Sequence, residues 1–154
     1  MLRKWGLFVV GLALILGGSY LAHAVQTAGG VTLKAVRFAG DQPTLTQSGL
    51  LYVPAGATAA HPAPAVLASH GYINTREMQS PFAIELARRG FVVLAMDMIG
   101  HGYSDGAVGQ SKDLGGPAAL RYLQGLPFVD KANIGLEGHS MGGVPVMKIG
   151  RAHV

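Results

Sequence analysis

The 154-residue sequence contains no cysteine. That excludes a disulfide scaffold, a thiolate metal site and a cysteine nucleophile, and it leaves the redox compartment open. Charge is scarce as well: Asp, Glu, Lys and Arg make up 13% of the chain against 49% hydrophobic residues, a balance that excludes a disordered, self-repelling polymer. There is no repeat period, no low-complexity tract, no phosphate-cradling glycine loop ending in Gly-Lys-Ser/Thr and no His-Glu-x-x-His zinc signature. What remains is 23 glycines, 8 prolines and enough apolar material for one domain with a buried core. A formal charge of +4 raises a nucleic acid or an anionic membrane as partner, a question settled by where the charges lie.

The first segment is apolar from Trp5 to Leu16, after the basic pair Arg3 and Lys4 and before Ala22-His23-Ala24. Basic start, apolar middle and Ala-x-Ala form the pattern of a secretory signal peptide cut after Ala24. The same residues, Trp5 to Val25, carry no formal charge and are long enough for an uncleaved membrane anchor, with Tyr20 at interfacial depth. Both readings stay open for residues 1–25; in either, Arg3 and Lys4 remain cytoplasmic and the rest is exported. A buried amphipathic helix is excluded, because the stretch has no polar face.

At the other end, Ile149 to Val154 reads Ile-Gly-Arg-Ala-His-Val, the translation of ATC GGA AGA GCA CAC GTC, which resembles a common sequencing adapter. The adapter begins with AG before that ATC, so the preceding codon must encode Lys, Glu or Gln, and Lys148 satisfies this. Residues 148–154 are therefore expected to be an adapter-derived tail, with the natural protein continuing differently.

Between the ends, apolar runs alternate with helical stretches. Val31 to Phe38, Leu50 to Val53, Ala65 to Ser69, Phe91 to Met96 and Asn133 to Glu137 read as strands. Ser80-Pro81 looks like an N-cap and first turn of a helix closed by Arg88-Arg89-Gly90, whose cations suit a helix end. Pro117 to Gln124 and Met141 to Lys148 read as two further helices, with Leu120 and Leu123 turned inward. Asp97 to Gly109 reads as a glycine-rich loop, and Ala55 to Pro64 as a surface loop. Strand alternating with helix predicts an α/β fold with a mostly parallel sheet and helices on both faces.

The chemistry concentrates in Gly138-His139-Ser140-Met141-Gly142-Gly143, a Gly-x-Ser-x-Gly motif between a predicted strand and a predicted helix. In such a sharp turn, side chains at Gly138 and Gly142 would collide with neighbouring backbone. Ser140 is pushed to the tip as a candidate nucleophile, and the amide of Met141, opening the new helix, can donate to a developing oxyanion.

Here the sequence resembles the α/β-hydrolase family. His70-Gly71, directly after a strand, is similar to the family's His-Gly loop, in which the next residue, Tyr72, supplies the second oxyanion amide. Asp97-Met98-Ile99-Gly100-His101-Gly102-Tyr103-Ser104-Asp105 resembles the Asp-x-x-Gly-x-Gly-x-Ser turn after the next strand. The motifs follow family order over Gly49 to Met147, and the Ser-Met-Gly-Gly form is most like the serine-aminopeptidase, monoacylglycerol-lipase and dienelactone-hydrolase branches. Residues 26–147 are thus expected to be the N-terminal part of an α/β-hydrolase domain. The resemblance implies two-step acyl transfer on an ester, thioester or amide, with no cofactor and no metal and with a small-molecule or lipid-like acyl substrate.

Other polar residues have plainer roles. His139 is expected to be a packed histidine rather than the base, His70 a brace of the oxyanion loop, and Asp97 a turn-stabilising carboxylate. Gly100-His101-Gly102 lacks the third glycine of a dinucleotide fingerprint. The triad partners that the family places after the serine are missing: no Asp or Glu follows Ser140, and the one histidine, His153, sits in the suspect tail. The 154 residues alone are expected to be inactive and to expose the flank of the last strand. Two alternatives are a catalytically silent hydrolase-like binding module and one domain of a larger multi-span membrane protein. Setting aside Arg3, Lys4, Lys148 and Arg151 leaves 8 basic against 8 acidic residues, which removes the argument for a nucleic-acid partner.

Overall fold

The computed structural model describes residues 2–26 and 30–152, so that Met1, residues 27–29 and the last two residues of the expected tail, His153 and Val154, lie outside the described residues. Helix α1 (Leu2–Gln26) precedes strands β1 (Val31–Ala39), β2 (Thr46–Pro54) and β3 (Ala63–Ser69). Helix α2 (Ser80–Arg88), β4 (Val92–Met96), α3 (Gly116–Gly125), β5 (Val129–Gly138) and α4 (Gly143–Ala152) follow. Each expected strand and helix is present. Strands β2, β3 and β5 begin earlier than their apolar runs, because backbone pairing continues through polar residues such as Thr46, Gln47 and Asp130.

The five strands form one sheet in the order β1-β2-β4-β3-β5. It is mixed: β1/β2 and β2/β4 pair antiparallel, and parallel pairing is confined to β4/β3 and β3/β5. Strands β1 and β2 are joined by a short turn, which can only return the chain antiparallel, whereas β3, β4 and β5 are joined in succession through helices.

Strand β4 lies at the centre, and all five of its residues are buried. Val92, Leu94 and Met96 point to one face, where they meet Leu120 and Leu123 of α3 and Ile149 of α4. Val93 and Ala95 point to the other face and meet Ala83 and Ala87 of α2. A strand covered on both faces has no use for polar alternation, hence its unbroken apolar run. The helices divide between the faces because the chain steps from β3 to β4 on one side and back across to β5 on the other; crossovers of one hand then carry α2 and α3 to opposite sides.

That reversal makes β3 the switch point at which a crevice opens beyond the strand ends. In register, Ser69 at the end of β3 lies opposite both Met96 of β4 and Gly138 of β5. The segments that leave these three strands therefore converge on one edge of the sheet.

Helix α1 holds an uncharged stretch, Trp5–Val25, of 21 residues with mean hydropathy 1.9, long and apolar enough to cross a membrane. Its side chains are exposed, including Trp5, Phe8 and Leu14, and Arg88 of α2 donates to the Val25 carbonyl at 2.6 Å. One expectation fails at α2. The residue preceding the helix is Gln79, no side chain caps the end, and the Ser80 hydroxyl instead accepts from Tyr52 Oη at 2.8 Å.

Candidate active site

The turn after β5 carries Ser140 at φ +54, a left-handed conformation that costs an L-residue about 1–2 kcal/mol. Its neighbours explain why the turn survives. A Cβ on Gly138 would sit 2.8 Å from the Gly143 nitrogen and nearer still to the Gly142 carbonyl. On Gly142 it would sit 2.6 Å from the His70 carbonyl oxygen and nearer still to that of Ser69. Both positions accept only hydrogen, so strand end, serine and helix start are compressed into one sharp bend. Hydrogen bonds secure it: His139 N–H donates to the Ser69 carbonyl at 3.1 Å, and Gly142 N–H to the His139 carbonyl at 2.9 Å. Ser140 is exposed at the tip. A 3-10 turn over Ser140–Gly142 leads into α4, so Met141 belongs to that turn rather than to the α-helix itself.

Facing this bend is the segment that leaves β3. A Cβ on Gly71 would meet His139 Cδ2 at 3.2 Å and Ser140 Cβ at 3.4 Å, which places the His-Gly segment directly against the serine turn. Tyr72 follows, 56% exposed, and Ile73 is held at φ +56 with 78% exposure. His70 is fully buried. Its Nε2 accepts from Met98 N–H at 3.1 Å, and its Nδ1 lies 2.7 Å from the Gly71 carbonyl. A backbone N–H only donates, so Nε2 must be the unprotonated nitrogen and Nδ1–H the donor to Gly71. Burial pushes the His70 pKa down, which keeps the ring neutral. Both nitrogens are occupied in bracing backbone.

The third segment leaves β4. Asp97 is fully buried, and its Oδ1 accepts from Arg76 N–H at 2.8 Å and its Oδ2 from Tyr103 N–H at 3.1 Å. Gly102, at φ +54, leaves room for this carboxylate, since a Cβ there would lie 2.7 Å from Oδ2 and nearer still to Oδ1. Ser104 Oγ donates to the Asp97 carbonyl at 2.9 Å and accepts from Ser48 N–H at 2.9 Å. Asp97 is thus wholly engaged in holding the turn. His101 packs under Tyr72, with ring centroids 6.1 Å apart, and against His70 at 5.4 Å.

His139 differs from expectation. It is exposed rather than packed, just past the end of β5, which pairs only with β3 among the described residues. A cavity of about 350 Å³ opens beside it between α2 and the end of β5, lined in part by Gly71, Met78, Phe82 and Glu137. Glu137, Gln79 and Arg76 lie outside the motifs of the sequence. Glu137 is half-buried; burial pushes its carboxyl up, against a smaller opposing pull from His139. The Gln79 amide donates to the Ser69 carbonyl at 2.8 Å, capping the end of β3. Arg76 is 8% exposed, and nothing in its sequence neighbourhood marks it as buried. Among the described residues, no group of three or more His, Asp or Glu could hold a metal ion.

A family model described as serine aminopeptidase, S33, matches residues 60–154. Among solved structures, a bacterial heroin esterase is 24% identical with a TM-score of 0.65, over 90% of this chain and 47% of its own. A dienelactone hydrolase-like promiscuous phosphotriesterase from metagenomic libraries is 23% identical with a TM-score of 0.65, over 80% of this chain and 55% of its own. An esterase of Pyrococcus furiosus is 27% identical with a TM-score of 0.61, over 77% of this chain and 47% of its own. The chain thus spans about half the length of these structures. No curated protein matches it in sequence. The chain belongs to the serine aminopeptidase S33 family and has the fold of an α/β-hydrolase.

Proposed function

We propose that Ser140 is the nucleophile of a serine hydrolase that cleaves ester, thioester or amide bonds through an acyl-enzyme. The observation that carries this reading is the left-handed, exposed Ser140 on a turn where neither Gly138 nor Gly142 can bear a side chain. Such strain is retained where it serves to present a group, and here it presents a hydroxyl. Two of the similar solved structures are named esterases, which supports the ester among the three bond types.

In the proposed reaction Ser140 Oγ adds to the carbonyl carbon while its proton passes to a histidine. The oxyanion receives the backbone N–H groups of Met141 and Tyr72. Collapse breaks the bond to the leaving group, which departs with the histidine's proton, and a water molecule repeats the sequence to release the acid. His70 does not serve as that base: both its nitrogens are committed to Met98 and Gly71. We assign the histidine and its orienting carboxylate to chain outside these 154 residues, which hold no Asp or Glu after Ser140. The 154 residues alone are then inactive. The Trp5–Val25 stretch supports an exported domain that is either anchored through α1 or released after Ala24.

The test is labelling with a fluorophosphonate probe in the whole encoded protein. Labelling that disappears in Ser140→Ala supports the reading; labelling that persists undiminished in Ser140→Ala rejects it. A whole protein that folds but never labels favours a silent binding module instead.

A further inference from the structure

We infer that Arg76 is a positioning residue for the backbone amide of Tyr72, a role that rests on the acyl-transfer reading above. The segment from His70 to Arg76 carries that amide, and both its ends are fastened to the turn after β4. At the first end, Met98 N–H donates to His70 Nε2 at 3.1 Å. At the second, Arg76 N–H donates to Asp97 Oδ1 at 2.8 Å, and Arg76 Nε lies 3.6 Å from Asp97 Oδ2.

The guanidinium extends this second fastening to β2. One terminal nitrogen donates to Ser48 Oγ at 2.5 Å and to the Gly49 carbonyl at 3.1 Å, and the group lies 4.7 Å from the centroid of the Tyr103 ring. Nε also meets the Glu77 carboxylate at 3.1 Å. A buried charge with this many partners is held in one geometry, and only the planar fork of arginine reaches all of them together. A lysine at this position has one nitrogen to share among acceptors on β2, on Glu77 and on the β4 turn.

The segment between the two fastenings needs them. Ile73, beside Tyr72, is β-branched, stands at φ +56 and is 78% exposed, so no burial of its own side chain offsets its backbone strain. Residues persist in that region only where their surroundings over-determine them. Losing the guanidinium leaves this end held to Asp97 by the Arg76 N–H alone, which lets residues 71–75 relax toward ordinary backbone angles and carries the Tyr72 N–H away from the place where an oxyanion forms beside Ser140. The loss falls on the transition state rather than on substrate binding, because the amide is called on only once the oxyanion develops.

Arg76→Gln and Arg76→Lys test this in the whole encoded protein, assayed on a p-nitrophenyl ester with active sites counted by fluorophosphonate. For Arg76→Gln, kcat per titrated site is expected to fall roughly 10–100-fold with KM within about twofold, and affinity for a boronic acid transition-state analogue to fall by the same factor. Arg76→Lys recovers part of the loss. If Arg76→Gln does not accumulate, Ser48→Ala carries the test by removing a single acceptor of the guanidinium, with an expected loss of roughly three- to tenfold in kcat. Unchanged kcat and analogue affinity per titrated site, with only a lower melting temperature, overturn the inference and leave Arg76 a stabilising residue. A wild-type protein that never labels overturns the acyl-transfer reading itself, and the inference with it.

Discussion

Met98 N–H donates to His70 Nε2 across 3.1 Å, joining the turn after β4 to the loop after β3 and fixing which ring nitrogen carries the proton. Protonating Nε2 would break this bond and place a charge in a fully buried position. Burial accordingly pushes the His70 pKa below its ordinary 6.5. The unfolded chain then binds more protons than the folded one as pH drops below 6.5, so the stability that His70 contributes is complete above that value and is lost on acidification. Urea unfolding between pH 7 and 5 is expected to show this slope. His70→Gln, whose amide can still accept from Met98 and donate to Gly71, should flatten it; an equal slope in the variant contradicts the account.

Glu137 has the opposite sign. Burial raises its carboxyl above 4.5 in the folded chain, so its contribution favours the fold at low pH and is lost as pH rises through 4.5 toward the folded value. Glu137→Gln is expected to raise the melting temperature at pH 7 and to leave it unchanged at pH 4. A variant less stable at pH 7 would show that the carboxylate has a favourable partner there.

The two glycines around Ser140 should respond differently from their neighbour Gly143. Gly142→Ala forces a Cβ against the His70 and Ser69 carbonyls, with an expected loss of about 1–3 kcal/mol. Gly143 opens α4 with nothing within 4 Å of a Cβ, and Gly143→Ala should be neutral or stabilising by up to about 1 kcal/mol. Chemical denaturation of the two variants checks the contrast. Equal losses would mean that the turn is not as tight as the structure has it.

Strain at Ser140 itself is measurable. Ser140→Gly and Ser140→Ala both remove the hydroxyl, but only glycine adopts φ +54 without penalty, so the glycine variant should be the more stable by about 1 kcal/mol.

For α1, the expected result is recovery of the protein with membranes after alkaline extraction if Trp5–Val25 stays as an anchor, or an intact mass beginning at Val25 if it is cut after Ala24. Uncut protein that alkaline extraction removes from membranes would contradict both.

Much of this was legible in the residues. β4 announced itself because a strand buried on both faces has to be apolar throughout, and the Gly138-to-Gly143 turn because no other residue fits two of its positions. The strand starts at Thr46 and Val129 were not legible, since sheet pairing makes no demand for apolar side chains where a strand runs out to an exposed end. Ser80 looks like a cap by sequence because a serine before proline fits both the N-cap and the first helical position; the nearby Tyr52 hydroxyl, distant in sequence, is what engages it. Exposure of His139 depends on which strands flank β5, and burial of Arg76 on three segments that meet only after folding. None of these leaves a local trace.

The most direct test of Ser140 as acyl acceptor is rapid acid quench of the whole encoded protein during turnover of p-nitrophenyl acetate, followed by peptide mass spectrometry. An acetyl group is expected on the peptide containing Ser140, formed in a burst and absent from Ser140→Ala. Turnover at the same rate in Ser140→Ala, or acetylation at another residue alone, would contradict it.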